Sequence, residues 1–437
     1  MRILAITAGA GSMYCGSCFR DNALAAELMA QGHHVVLAPI YTPTVTDEAN
    51  VSQEKIFFGG IGVYLQQYMP LFRKTPWLLD RIWDSRLALK LAAKKSIPVN
   101  PKLLGELTVS MLEGEDGYQS KELEKMIHWL RNEPPFDVIS LPYTLLIGLA
   151  RSLKKALDCP ICCTLQGEDL FLEGLQEPYR TQSLELIRAN IRHVDRFLAV
   201  SEYYAGFMSR YLRIPESKLF VTPLGINLQG YAPVSRSRGG IFTIGYFARV
   251  CPEKGLHNLC AAYRLLRKEK GLTNARLEVA GYLAPENRDY LAGLEREMRD
   301  CGLGGEFRYR GAIDRAEKIQ FLQTLDVLSV PSTYNEPKGI YLLEAMANGV
   351  PVVQPRRGAF PEILAKTGGG LIVDADSTDG LAEGILSLWR DPALAAELGR
   401  KGAERVRQHF NVGVMAECTL QAYAGLGERR VVQSKPS

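Results

Sequence analysis

An α/β protein built from two doubly wound domains is what this sequence predicts, on three observations. Short apolar runs alternate with segments of helical spacing, that alternation occurs twice, and a stretch without periodicity separates the two series. Near-continuous apolar strands are buried on both faces, and helices between them act as parallel crossovers, so each series should close into a parallel sheet with helices on both sides. At 437 residues the chain is long enough for two domains with separate cores.

Taken in order, the first series has strands at Arg2–Thr7, His34–Pro39, Asp137–Leu141, Ile161–Leu165 and Phe197–Val200, with a last one ending near Thr222. A glycine loop, Ala8 to Cys18, leads into a helical pattern over Asn22–Gln31. An insertion of roughly 41–133 breaks the strand–helix rhythm, and the first domain is expected to span 1–224. Residues 225–240, rich in Gly, Ser and Arg, read as a linker. The second series, 241–411, has strands at Phe242–Phe247, Arg276–Ala280, Phe307–Arg310, Asp326–Val330, Val350–Gln354 and Gly370–Val373. Leu256–Lys268, Asp314–Thr324 and Gly380–Trp389 carry helical spacing between them, and 412–437 is a final helix and polar tail.

Composition narrows the function classes. Lys and Arg number 52 against 48 Asp and Glu, a net +4 that argues against a nucleic-acid binder driven by overall charge. The longest uncharged apolar run, Val138 to Ala150, contains Pro142 and is too short to span a bilayer. The N-terminus runs straight into glycines without the long apolar core of a signal peptide, and nine cysteines are an odd number for a disulfide scaffold. The expectation is a cytoplasmic protein. Within the insertion, 71–95 is strongly cationic, with Trp77, Ile82, Trp83, Leu87 and Leu89 interleaved. It reads either as an acceptor-site helix packing its aromatics inward or as an interfacial helix touching anionic lipid at the inner face of the membrane.

The segment richest in chemistry runs from Pro331 to Pro351. A buried strand ends at Val330, a loop follows, and a helix should begin near Gly339 and end at the Asn348-Gly349 cap. Its N-terminus offers unpaired N–H groups and the positive end of a dipole to an anion, with Lys338 and Gly339 alongside. Glu336 lies just before that point and Glu344 one turn beyond Ile340. A carboxylate for sugar hydroxyls, amides for a diphosphate and a second carboxylate for ribose match a nucleotide sugar in line. Arg249 and Lys254 follow a strand and precede a helix, where doubly wound domains bind phosphate.

Glu336 and Glu344, with seven residues between them, resemble the E-x7-E motif of retaining glycosyltransferases of family 4, which have the two-domain GT-B fold. The likeness extends along the chain. Ser201-Glu202 resembles the family's "VSE", Pro223 to Asn227 its "PNGVD", Gly245 to Arg249 with Glu253-Lys254-Gly255 its "GRL…KG", and Gly358 to Glu362 its "GG-x-PE". The resemblance implies two Rossmann-like domains facing a cleft, with the final helix crossing back to the first. It also implies a hexosyl transfer from a nucleotide-diphosphate sugar to a hydroxyl acceptor on a glycan, small molecule or lipid, with no cofactor and no metal. On the donor side it implies Gly16, Arg249, Lys254, Ile313, Glu336, Lys338, Gly339, Ile340, Tyr341 and Glu344; Arg249 and Lys254 would neutralise the leaving diphosphate. On the acceptor side it points to Tyr14, Glu168, Asp169 and Ser201.

One departure stands out. Gln166, in Thr164-Leu165-Gln166-Gly167-Glu168-Asp169, occupies the place of the family's His near the donor sugar, and an amide cannot titrate. The leaving phosphate can take the acceptor proton instead, so Gln166 joins Glu336, Arg249 and Lys254 as the implied catalytic set. A non-catalytic nucleotide-sugar-binding protein and a nucleotide-sugar epimerase are the alternatives. Cys15 and Cys18 form a C-x-x-C at a helix start, read as a redox pair or as small residues in a tight turn. Cys159 and Cys162 bracket the start of a strand at the opposite sheet end. Asp374-Ala375-Asp376 looks like a metal-binding Asp-x-Asp, yet Asp376 or Ser377 reads better as a helix cap.

Overall fold

The computed structural model describes residues 1–9, 16–59, 63, 66–67, 101–234 and 240–426. The chain divides into two compact units: Met1–Val200, Tyr204–Thr222 and Ala416–Ser437 form one, and Ser201–Tyr203 with Pro223–Met415 the other.

The first unit holds a six-stranded parallel sheet in the order β2-β1-β3-β4-β5-β6. Its strands are β1 (Arg2–Thr7), β2 (His34–Pro39), β3 (Val138–Leu141), β4 (Ile161–Leu165), β5 (Arg196–Ala199) and β6 (Leu219–Val221). Ala5 pairs with Leu37 on one side and Ser140 on the other, and Cys163 pairs with Phe197. Helix α1 (Gly16–Ala30) follows β1; α2 (Pro101–Glu113) and α3 (Ser120–Arg131) lie in the described part of the insertion. Next come α4 (Leu149–Leu157), α5 (Asp169–Glu173), α6 (Tyr179–Asn190) and α7 (Glu202–Leu212). β3 and β4 carry buried residues on both faces, such as Val138 and Ile139 or Cys162 and Cys163, as doubly covered parallel strands require.

The second unit repeats the plan with the order β12-β11-β10-β7-β8-β9. Its strands are β7 (Phe242–Phe247), β8 (Ala275–Ala280), β9 (Phe307–Tyr309), β10 (Val327–Leu328), β11 (Val352–Pro355) and β12 (Gly370–Val373). They alternate with α8 (Leu256–Lys268), α9 (Arg288–Asp300), α10 (Arg315–Gln323), α11 (Ile340–Ala347), α12 (Phe360–Thr367) and α13 (Thr378–Arg390). α14 (Pro392–His409) and α15 (Val412–Ala424) end the described chain, and from Ala416 onward α15 belongs to the first unit. The two doubly wound sheets expected from the alternation are present.

Strand limits differ from the sequence reading mainly at β10, which has two residues where five are expected. Ser329 and Val330 remain buried, and Ser329 still donates its amide to Gly245 at 2.9 Å while its hydroxyl turns to the Val353 carbonyl. The apolar run therefore continues past the ladder into the loop that carries Glu336. The N-terminus of α13 is capped by Ser377, whose Oγ accepts the Gly380 amide at 2.9 Å, and Asp376 pairs with Arg357. Thus Ser377 supplies the cap, and Asp376 of the Asp-x-Asp is held in an ion pair. Among the described residues no helix is long and apolar enough to cross a membrane, and no cluster of three or more His, Cys, Asp or Glu is placed to hold a metal ion.

Candidate functional site

The loop between β10 and α11 is drawn onto the second unit's core, and two local devices hold it. Gly358 has φ +53°, and a Cβ there would stand 2.2 Å from the Glu336 carbonyl oxygen, so only glycine lets the two backbones meet. The next residue, Ala359, donates its amide to that same carbonyl at 2.8 Å. Gly339, at φ +62°, turns the chain into α11 and leaves the first helical amides without intrahelical acceptors.

These restraints hold Glu336 at 3% exposure. Its Oε2 receives Lys254 Nζ, the Tyr334 hydroxyl at 2.6 Å and the Tyr341 hydroxyl at 3.3 Å, while among the described residues Oε1 accepts only the Lys338 amide, at 3.3 Å. Lys254 Nζ also donates to the Tyr334 oxygen at 2.7 Å and lies 5.0 Å from the Tyr334 ring centre. Burial by itself would raise the Glu336 carboxyl, but the Lys254 ammonium beside it, with the Tyr334 hydroxyl and the Lys338 charge, brings it down to about 2. Burial, reinforced by the Glu336 charge, pushes both phenols well above their usual range, so they remain donors. The result is a buried, permanently ionised carboxylate with one oxygen saturated by the protein and the other lightly used.

Glu344 has a similar arrangement on α11, the eight-residue helix that follows the loop of Glu336. Its Oε1 accepts Lys318 Nζ at 2.6 Å and the Tyr231 hydroxyl at 3.1 Å. Arg249, expected beside Lys254, is exposed, yet its charge is felt at Tyr334. Lys254, expected as a phosphate cation, is buried with its ammonium against Glu336. Ile313 packs partly buried on the core. Ser201, read from the sequence as an acceptor-side residue, belongs with the second unit, where its hydroxyl donates to the Pro337 carbonyl at 3.1 Å beside Glu336.

Gln166, Glu168 and Asp169 lie in the first unit after β4. Gln166 Nε2 donates to the Pro142 carbonyl at 2.7 Å, which fixes the amide, and its Oε1 is buried with no hydrogen-bond partner. Glu168 accepts from the Gln166 and Thr144 amides, the Thr144 hydroxyl and the Tyr204 hydroxyl. Burial raises its carboxyl, and the backbone amides of Gln166, Glu168 and Thr144 oppose that only in part. Glu168 therefore braces the loop, while Asp169 accepts the Tyr204 hydroxyl at 2.7 Å. Gly16 opens α1, and Tyr14, Cys15 and the cationic segment 71–95 lie outside the described residues. Cys18 is buried, and burial raises the Cys162 thiol.

Four partners escaped the sequence reading: the hydroxyls of Tyr334, Tyr341 and Tyr231, and Lys318. The last had a signal. A lysine three and four residues before Phe321 and Leu322 sits on the apolar face of α10, where a buried charge needs a partner.

Two family models match the chain. Residues 113–229 match Glycosyltransferase Family 4 and 232–405 match Glycosyl transferases group 1. With two parallel doubly wound sheets, these matches show that the chain belongs to the family 4, group 1 glycosyltransferases of GT-B fold. It is a glycosyltransferase.

Among its relatives, the D-inositol 3-phosphate glycosyltransferase of Pseudarthrobacter chlorophenolicus is 26% identical over 87% of this chain and 93% of that protein. The glycogen synthase of Mycobacterium tuberculosis is 32% identical over 45% of this chain and 46% of that enzyme. Two solved structures share the fold. The sucrose-phosphate synthase of Thermosynechococcus elongatus has a TM-score of 0.70 at 20% identity, covering 98% of this chain and 99% of that one. Anabaena HepE, in complex with UDP and glucose, has a TM-score of 0.67 at 16% identity, covering 98% and 100%.

Proposed function

We propose that this chain moves a hexosyl group from a nucleoside-diphosphate sugar to a hydroxyl acceptor with retention of configuration. The observation that carries the reading is the pair of buried carboxylates at Glu336 and Glu344, each with one oxygen committed to protein donors, on either side of the opening turn of one helix. Glu336 Oε1 receives sugar hydroxyls, the amides from Gly339 to Tyr341 with Arg249 and Lys254 receive the diphosphate, and Glu344 receives the ribose. The similarity to enzymes named for sugar transfer, and to a structure named as holding UDP and glucose, supports the same ligand class.

In this reaction the bond between the anomeric carbon and the phosphate oxygen breaks, and the departing diphosphate carries the negative charge. Arg249, Lys254 and the α11 amides stabilise that charge as it develops, in the role a metal plays elsewhere. The acceptor hydroxyl enters on the face the phosphate leaves, its oxygen bonds to the anomeric carbon, and its proton passes to a leaving phosphate oxygen. No titrating side chain is needed, which suits a glutamine at position 166. Gln166 and Asp169 are the first unit's candidates for contact with the acceptor.

The test is a thermal-shift screen of uridine, guanosine and adenosine diphosphate sugars, with and without EDTA, on wild type and Glu344→Ala. One donor should raise the melting temperature in both conditions and lose its effect in the variant. Proton NMR of the product with an accepted hydroxyl compound then reads the anomeric configuration. No shift with any donor overturns the reading; binding without transfer to any acceptor or to water points to the non-catalytic nucleotide-sugar-binding alternative.

A further inference from the structure

We infer that Lys318 and Tyr231 are positioning residues that commit one oxygen of Glu344 to the protein, so that the ribose of the donor is read through the other oxygen alone. This rests on the donor reading above and adds to it how the nucleoside is recognised.

Lys318 Nζ is 2.6 Å and the Tyr231 hydroxyl 3.1 Å from the same atom, Glu344 Oε1. The ion pair is enclosed, with the Lys318 and Glu344 side chains 4% and 8% exposed. Oε2 accepts no hydrogen bond among the described residues, and it is not among the atoms sealed without a partner. A carboxylate with both oxygens open would grip two vicinal hydroxyls as a fork. Here one prong is taken by an ammonium and a phenol.

The surroundings hold this geometry from several elements. Asp314 and Glu317 form a reciprocal capping box at the start of α10, which fixes the turn carrying Lys318. The Arg315 guanidinium lies 5.2 Å from the centre of the Tyr231 ring. Arg407 donates to the carbonyls of Tyr231 at 2.9 Å and Ala347 at 3.2 Å, tying the segment of Tyr231 to the end of α11. Asn348 Nδ2 donates to the Glu344 carbonyl at 3.0 Å. Restraint of this density is what a single-oxygen contact needs, since a carboxylate free to rotate would offer either oxygen at an entropic cost.

The experiment uses calorimetry with the nucleoside diphosphate that wild type binds, chosen from uridine, guanosine and adenosine diphosphates, and with its 2′-deoxy and 3′-deoxy forms. Wild type should weaken by about ten- to hundredfold for one deoxy form, the value of a hydrogen bond to a charged group, and much less for the other. Lys318→Met should weaken the parent diphosphate by about tenfold while leaving the sensitive deoxy form nearly unchanged, because the contact it spoils is already absent there. Lys318→Arg should restore most of the discrimination. Tyr231→Phe, which removes a hydroxyl and keeps the ring, should move the ratio in the same direction by a smaller factor; it carries the test if Lys318→Met melts too low to assay. A Lys318→Met variant that loses the same factor for all three ligands overturns the inference, as does a wild type indifferent to both deoxy forms. A wild type that binds no nucleoside diphosphate overturns the donor reading itself.

Discussion

The Tyr341 hydroxyl lies 3.3 Å from Oε2 of Glu336, five residues away and across the turn that opens α11. That oxygen also receives Tyr334 and Lys254, so three donors from three points of the chain converge on one buried atom. Convergence of this kind turns a carboxylate into a fixed charge with a fixed free edge.

Acid titration should expose that charge. Folding lowers the Glu336 carboxyl from 4.5 to about 2, so its stabilisation is full above 4.5 and is lost as pH falls through 2. The shift corresponds to about 3 kcal/mol. Urea unfolding of wild type and Glu336→Gln should differ by a constant amount from pH 7 to about 5, and the gap should close below it. A gap that stays constant down to pH 3 would contradict the pairing.

Tyr341→Phe keeps the ring and removes one donor. Stability should fall by about 1 kcal/mol, the net worth of a hydrogen bond. Transfer should fall by about tenfold in kcat, since Glu336 loses part of its aim, and donor affinity should change less. Steady-state kinetics that show only a raised KM would assign Tyr341 to uniform binding instead.

Gly358→Ala places a Cβ against the Glu336 carbonyl at a φ of +53°. The left-handed backbone alone costs about 1–2 kcal/mol, and the clash adds to it. Chemical denaturation should show a loss of about 2 kcal/mol or more, and donor binding measured by calorimetry should weaken with it. Unchanged donor affinity would mean the loop holds Glu336 without Gly358.

Glu278 on β8 is 2% exposed and depends on Arg310, 2.6 Å away, with Arg276 at 3.6 Å. Removing the arginine strands a buried charge, so Arg310→Ala should cost about 3 kcal/mol. Adding Glu278→Leu should recover much of that loss. Guanidinium unfolding of the single and double variants reads both numbers, and additive losses would remove the argument.

Much of the second unit was legible in the sequence. The loop–helix segment with Glu336 and Glu344 could be located because a buried strand, a glycine turn and a helix cap follow in order, and each has a local signature. Tyr334 and Tyr341 stood in the same segment, but nothing local says where a phenol points. Lys254 was read as a phosphate cation because its loop position suits one, and its burial against Glu336, 82 residues on, depends on the path of the chain between. For Gln166 the departure from a histidine was visible, whereas the clamp on the Pro142 carbonyl needed β3 and β4 side by side.

What the sequence determined by itself was the alternation of strands and helices and the doubling of the domain plan, which follow from short-range periodicity and caps. The two carboxylates were singled out by their place around a helix N-terminus and by the resemblance to the E-x7-E motif. Only the tertiary structure decided which oxygen of each carboxylate is spent and on which cation, Lys254 for Glu336 and Lys318 for Glu344. The reason is physical. A charge's partner is chosen by burial, because the low dielectric of the interior leaves no cation or anion unpaired, and burial is a property of the packed chain rather than of any stretch of it.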